Sequence, residues 1–335
     1  MSNYIISWFF SESKNDESYY PQVGGRASSD NFKNIYWKCI LDFYYSSRIN
    51  NDCKHIFFTN VNNIPEILDG INIKKFFYDN NIEIINIDLT NKTPKNWFNA
   101  WRNQFYIFDI LQYVALNLND HDNVIILDSD CLIMKNLDNV FEKIRKSKCI
   151  AYEIKYPFDY KINGITRKDM KEIYNDVYKE NIEEISYYGG EFIGVTIPTA
   201  KLIIEEYKTL WDKNYEFYKK GKNKLNEEAH FLSVIYTKLN LNNNKASEFI
   251  KRMWTSNTFS NVEDDDKNLY IWHLPAEKKT GFIYFYKYIS LDRINKENLN
   301  KISSKLMGVP KKDILKKGKD FISKISYRIG NKNVF

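Results

Sequence analysis

The stretch that decides the fold reads Asn123-Val-Ile-Ile-Leu-Asp-Ser-Asp-Cys-Leu-Ile133. Four apolar residues run straight into two aspartates, Asp128 and Asp130, that are separated by one residue. A short continuous apolar run bounded by polar residues marks a strand buried on both faces, the kind that parallel sheets carry. Along an extended strand, residues i and i+2 face the same side, so both carboxylates address one point. Two like charges aimed at one point repel unless a cation lies between them. Hard oxygen ligands suit Mn²⁺ or Mg²⁺. Such an ion completes its shell with phosphate oxygens and water, and on a nucleotide diphosphate it neutralises the charge that develops as that group leaves. Two acids with one residue between them are common by chance. Their position at the end of an apolar strand is the informative part, because buried strands seldom end in two acids for structural reasons.

Outward from this stretch, strand-like and helix-like segments alternate. Residues 4–10, 55–59, 82–89 and 149–154 read as strands, and residues 31–45, 65–79, 97–118 and 137–147 as helices, with Pro65 placed to start the second. This alternation predicts an α/β fold with a mostly parallel sheet covered on both faces. Ligands of such sheets bind beyond the carboxyl ends of the strands, where Asp128 and Asp130 stand. The second half is less regular. Residues 159–184 are charged and read as helix or loop, and 187–197 as a strand broken at Gly189-Gly190. Residues 199–219 and 227–239 read as helices separated by a break, 261–268 as an acidic turn and 270–274 as a short strand.

The 335 residues suffice for one large α/β domain or two small ones, able to bury roughly three quarters of the unfolded chain's surface. A hydrophobic content of 43% with 16% aromatics is that of a globular chain. The net charge of +6 equals the surplus of residues 311–332 alone, which hold eight basic and two acidic residues. A nucleic-acid binder more often spreads its basic residues over its body, so no nucleic-acid partner is expected. Phe321, Ile322, Ile325 and Ile329 recur at helical spacing with lysines between them, which predicts a basic amphipathic helix against an anionic membrane surface. Packing on the domain or dimerisation are the alternatives. Cys39, Cys53, Cys131 and Cys149 form no C-x-x-C pair and are expected to be reduced thiols. No apolar run approaches the length of a signal peptide or a membrane span, so the expected location is cytoplasmic, peripheral on the inner face of the cell membrane.

The segment VIILDSDCLI (124–133) resembles the DxD strand of GT-A nucleotide-sugar glycosyltransferases. The resemblance spans most of residues 1–285. It implies a Rossmann-like sheet flanked by helices, with Asp128 on the nucleotide ribose and the metal and Asp130 on the metal directly. Two further segments, YYGGEFIGVTIP (187–198) and NEEAHFL (226–232), resemble in order those of the blood-group-type α-1,3-galactosyl and N-acetylgalactosaminyl transferases. That family has a Glu beneath the anomeric carbon, and matching the His gives its place to Glu228, with Glu227 before it. Gly189-Gly190-Glu191 stand where the family has His-small-small, which leaves the sugar open. The segment IWHLPAEKKTGF (271–282) resembles the His-x-x-Gly-x-x-Lys motif of the glycogenin-like and lipopolysaccharide galactosyltransferase family. It implies His273 as third metal ligand and Lys279 on a phosphate. Ala276 replaces the Gly, and the usual Pro-Trp is absent.

The resemblance further implies three regions: a nucleotide-sugar-binding half at 1–155, an acceptor-binding and catalytic half of the same domain at 156–290, and a basic helical tail at 291–335. Arg102 is expected against the diphosphate or donor sugar and Asp109 against a donor hydroxyl. Trp8 or Tyr4 is expected on the base, with Gly24-Gly25-Arg26 bordering the nucleotide. Surface, solvated or core roles are the alternatives for each. His230 reads as a packing or acceptor-side residue, and Glu191 as a hydroxyl-binding acid. The expected reaction moves a hexose (Gal, Glc, GalNAc or GlcNAc) from a UDP-sugar to a saccharide or glycolipid acceptor, such as a bacterial surface polysaccharide or lipid-linked glycan. Retention follows from the two families, with Glu228 as transient nucleophile or stabilising charge. Inversion would use Glu191 or Glu228 as general base. A sugar nucleotidyltransferase and a non-catalytic saccharide-binding or membrane-scaffold protein are the rival readings. The transferase reading depends on the aspartate pair being able to take a cation. Acids locked in salt bridges would remove its basis.

Overall fold

The opening apolar run forms strand β1 (Asn3–Phe9). Helix α1 (Asp30–Asn50) starts where the Ser29 hydroxyl accepts from the Phe32 N–H, with Asp30 set against the helix dipole. Strand β2 (Lys54–Thr59) follows. Residues 65–79, expected as one helix, instead divide into the hairpin β3 (Ile67–Leu68) and β4 (Ile71–Asn72) and the short helix α2 (Ile73–Asp79). Asp69-Gly70 takes positive φ at both residues, the turn chemistry that joins antiparallel strands. Strand β5 is Ile82–Asn86.

The helix expected at 97–118 begins late. Trp101 is left-handed at φ 50°, Arg102–Phe105 form a 3₁₀ turn, and α3 is Tyr106–Asn117. After the fully buried β6 (Asn123–Leu127) come β7 (Cys131–Ile133), α4 (Asp138–Ser147), β8 (Cys149–Glu153) and α5 (Arg167–Tyr178). Strand β9 (Tyr188–Thr196) runs unbroken through Gly189-Gly190, contrary to the expected break. Helix α6 (Ile197–Lys219) carries Pro198 in its first turn, and α7 (Glu228–Lys238) follows. Strands β10 (Ile250–Arg252) and β11 (Ile271–His273) precede helices α8 (Gly281–Ser290) and α9 (Leu299–Met307).

The computed structural model describes residues 1–24, 26–241, 245–256, 258–318 and 320–322. Its fold is α/β, with a central, mostly parallel sheet in the order β5-β2-β1-β6-β9-β8, flanked by helices. β2 and β5 pair in parallel from His55↔Ile82 to Thr59↔Asn86, whereas β8 pairs antiparallel with β9. A smaller sheet has the order β10-β11-β7.

By contacts the chain forms two compact units. One consists of Met1–Tyr4, Ile87–Ile126 and Val140–Ser247. Its aromatic core stacks Phe108 on Tyr207 at 3.8 Å and Trp97 on Trp211 at 5.7 Å, with the Phe231 ring edge-on to Phe105. The other consists of Ile5–Asn86, Leu127–Asn139 and Glu248–Phe335. In it the Tyr44 hydroxyl accepts from the Ser7 N–H at 3.1 Å and donates to the Ile56 carbonyl at 2.7 Å, tying β1 and β2 to α1.

All four cysteines are free thiols. Among the described residues no helix is long and apolar enough to cross a membrane. Residues 314–318 and 320–322 are helical, with Ile314, Leu315, Phe321 and Ile322 exposed. Two tail lysines do not face outward: Lys312 and Lys316 are buried or half-buried against Glu277 and Asp320. Lys319 and residues 323–335, which carry the rest of the expected amphipathic helix, lie outside the described residues.

Candidate functional site

Asp128, Ser129 and Asp130 occupy the turn between β6 and β7, where an extended strand end was expected. Strand alternation therefore does not bring the acids together. The small sheet does. β11 pairs antiparallel with β7, setting His273 opposite Cys131, and the Leu274 N–H donates to the Asp130 carbonyl at 2.9 Å. The His273 Nε2 thereby lies 3.3 Å from Asp130 Oδ2 and 3.8 Å from Asp128 Oδ2. One ligand atom from each of the three residues lies within 4.8 Å of the others. With metal–oxygen bonds of about 2.1 Å, adjacent octahedral ligands sit about 3 Å apart, so a small contraction of this cluster would hold a divalent ion. Asp130 and His273 are nearly sealed, with side chains 3% and 5% exposed, whereas Asp128 is 27% exposed and opens the cluster to solvent.

A fourth group joins them. The Lys278 ammonium lies 2.5 Å from Asp130 Oδ2 on a side chain only 8% exposed, and 5.5 Å from the centre of the Tyr36 ring. Burial acts against both charges. The carboxyl of Asp130, which burial would raise, is held well below its usual range by Lys278 and then by His273. The Lys278 ammonium, which burial would weaken, is held above its usual range by Asp130. Lys278 follows the 3₁₀ turn Pro275–Glu277, and Glu277 is fully buried. The Glu277 carboxylate accepts from the Thr280 hydroxyl at 2.6 Å, the Gly281 N–H at 3.0 Å and the Lys316 ammonium at 2.5 Å, and pairs with Lys312 at 2.8 Å. The tail thus pins the turn that carries Lys278. Lys279, expected on a phosphate, donates to the Val23 carbonyl at 2.8 Å.

The remaining expected residues fall in two groups. In the unit that holds the aspartates, Trp8 is half-buried in β1, Gly24 has a positive φ and Arg26 is exposed. Gly25 lies outside the described residues. The other residues lie in the other unit. Glu228 opens α7, and its carboxylate lies over Gly190, where a Cβ would come within 2.6 Å of Oε1. Glu191 is 1% exposed, and strand alternation turns it to the opposite face from Gly190. Arg102 is nearly buried in the 3₁₀ turn behind Trp101, and Tyr4 is buried in the core. The Asp109 carboxylate accepts from the Thr90 N–H at 3.2 Å, and burial raises its pKa.

A polar network surrounds the start of α7. Glu227 accepts from the Tyr187 hydroxyl at 2.9 Å and from the Asn163 amide. The Asn226 N–H donates to His230 Nδ1 at 3.2 Å, so Nε2 carries the proton and donates to the Ile162 carbonyl at 3.0 Å. Burial pushes the His230 pKa down to about 3, so it is a neutral packing residue. Lys224 donates to the Trp97 carbonyl at 2.7 Å and to Asn226 Oδ1 at 2.6 Å, and burial lowers its pKa to about 8. Sequence reasoning missed Lys224, Lys278, Tyr36 and Glu277. The only signal for Lys278 was that two lysines follow His273, and the spacing rule chose the second.

No protein-family profile matches the sequence, and no curated protein matches it. Among solved structures, the crystal structure of an active-site mutant of LgtC is similar to this chain, with a TM-score of 0.48 and 11% identity over 81% of this chain and 86% of that one.

Proposed function

We propose that the protein is a metal-dependent glycosyltransferase of the GT-A type that moves a hexose from a UDP-sugar to a saccharide acceptor with retention of configuration. The observation that carries this reading is the meeting of Asp128, Asp130 and His273, two oxygens and one nitrogen from segments far apart in sequence. Two carboxylates with an imidazole suit Mn²⁺ better than Mg²⁺. When bound, the ion would neutralise charge on the departing diphosphate. Asp130 and His273 would hold it, and Asp128, the most exposed of the three, would also meet the nucleotide. Glu228 would stabilise positive charge at the anomeric carbon, with the space above Gly190 keeping its carboxylate in position. Glu191, Arg102 and Asp109 remain candidates for sugar and diphosphate contacts, with Trp8 for the base and Lys279 for a phosphate. The acceptor we read as a surface polysaccharide or lipid-linked glycan. Exposed Ile314, Leu315, Phe321 and Ile322 support contact with an anionic membrane face.

The Lys278–Asp130 ion pair counts against this reading and favours a rival, a non-catalytic saccharide-binding protein in which Lys278 is the permanent partner of Asp130. Asp128 and His273 tip the balance, because an ion pair alone needs neither a second carboxylate nor an imidazole turned toward it. One experiment separates the two. Folded protein is melted with UDP and Mn²⁺, then assayed for turnover of a panel of UDP-sugars. The transferase reading expects a metal-dependent rise in melting temperature and turnover of at least one sugar, both lost in Asp130→Ala. The rival expects neither, with saccharide binding unchanged in that variant.

A further inference from the structure

The charges around Asp130 determine when a divalent ion can bind. We propose that Lys278 is a built-in competitor for that ion, so that metal and nucleotide diphosphate bind together rather than in sequence. This rests on the metal reading above. Lys278 Nζ contacts the same Asp130 oxygen, Oδ2, that lies nearest the His273 imidazole. An incoming ion needs that oxygen and meets a cation already on it. With Asp128, Asp130 and Lys278 charged and the imidazole neutral, as ligation requires, the cluster carries one net negative charge. A divalent ion then leaves it with one net positive charge in a largely buried cluster, which is costly until an anion arrives. A diphosphate cancels that charge. In a chain without Lys278 the two carboxylates would match the ion by themselves, and no surplus positive charge would be left for the nucleotide.

The surroundings allow the ammonium to yield without disturbing the site. Its stem has four methylenes, and the half-buried Tyr36 ring already lies 5.5 Å from Nζ, offering a cation–π face to retreat to. The backbone beneath it cannot follow, because Glu277 is clasped by Thr280, Gly281, Lys312 and Lys316. Displacement is therefore a side-chain event. Since coupling is reciprocal, whatever factor the nucleotide adds to metal affinity the metal adds to nucleotide affinity.

The test is direct Mn²⁺ binding to the full chain, followed by paramagnetic resonance with and without UDP and corrected for Mn²⁺ held by UDP in solution. In the wild type, UDP is expected to tighten Mn²⁺ by at least about tenfold, the scale of one unit charge acting on a dication at close range. In Lys278→Met, Mn²⁺ alone is expected to bind at least about tenfold tighter than in the wild type, with the UDP effect shrinking toward none. Equal Mn²⁺ affinity in the two proteins, or weaker binding in the variant, overturns the proposal. So does a wild type whose Mn²⁺ affinity ignores UDP, a result that needs no folded variant. Mn²⁺ that binds neither protein under any condition, and no better than it binds Asp130→Asn, overturns the metal reading itself and is distinguishable from the other failures.

Discussion

Gly190 lacks a side chain where Glu228 needs room. A methyl group there would meet Glu228 Oε1 at 2.6 Å, and since that atom ends a flexible side chain, the carboxylate would move and the strand would stay. On the proposed transferase reading, Gly190→Ala is therefore expected to keep its melting temperature while turnover falls on the order of 10²-fold, the cost of misplacing a reacting group by about 1 Å. Matching kinetics in Glu228→Gln would tie the loss to that carboxylate. Asp42 presents the opposite case, a carboxyl with no visible task. It is fully buried in α1, and neither carboxylate oxygen has a hydrogen-bond partner among the described residues. Burial pushes its carboxyl well above the ordinary value, with Lys38 opposing. The folded chain then holds a proton that the unfolded chain releases, so stability falls as pH rises from about 4 through the raised folded pKa. Asp42→Asn should gain about 1–3 kcal/mol at pH 8 and much less at pH 4.5, measured by urea unfolding.

Single elements show what the sequence could and could not convey. Strands β6 and β9 and helices α1, α4 and α6 were legible because one segment's own pattern defines each of them. Helix α3 was legible except at its start, since apolar spacing continues through Trp97 and Trp101 while the backbone turns left-handed at Trp101. The hairpin at 67–72 hid in a helix-like pattern, although Asp69-Gly70 carried its signal. Strand β10 and helix α8 were not foreseen, while α9 lies within the stretch 291–335 read as a helical tail. The cluster of Asp128, Asp130 and His273 was legible as a set of residues but not as geometry. The three groups were named from motifs, yet their meeting depends on the β7–β11 ladder, and although 270–274 read as a strand, no local periodicity announces its pairing with β7. Local rules do hold where they are complete. Thr166 and Asp169 form a full capping box at α5, with Thr166 Oγ1 accepting from the Asp169 N–H at 3.0 Å. Thr166→Ala is expected to cost about 1 kcal/mol of stability, read from the shift in urea midpoint.

Two buried histidines, one in each unit, add to the acid sensitivity of the described residues. His55 accepts from the Ser47 hydroxyl at 2.7 Å and donates to the Cys53 carbonyl at 2.9 Å, and burial, then Arg48, lowers its pKa to about 4. His230 lies lower still, at about 3. In both, the unfolded chain binds the proton first. Stability present at neutral pH is therefore lost as pH falls from about 6.5 through those values, by several kcal/mol in all. His230→Gln should flatten the slope of unfolding free energy between pH 6.5 and 4, as measured by urea titration at stepped pH. The pairing of β7 with β11 has a further consequence, for synthesis. A ribosome delivers Asp128 and Asp130 long before His273, and Glu277 long before Lys312 and Lys316. A growing chain thus exposes the two aspartates uncompensated until the imidazole emerges, and Glu277 until Lys312 and Lys316 follow it.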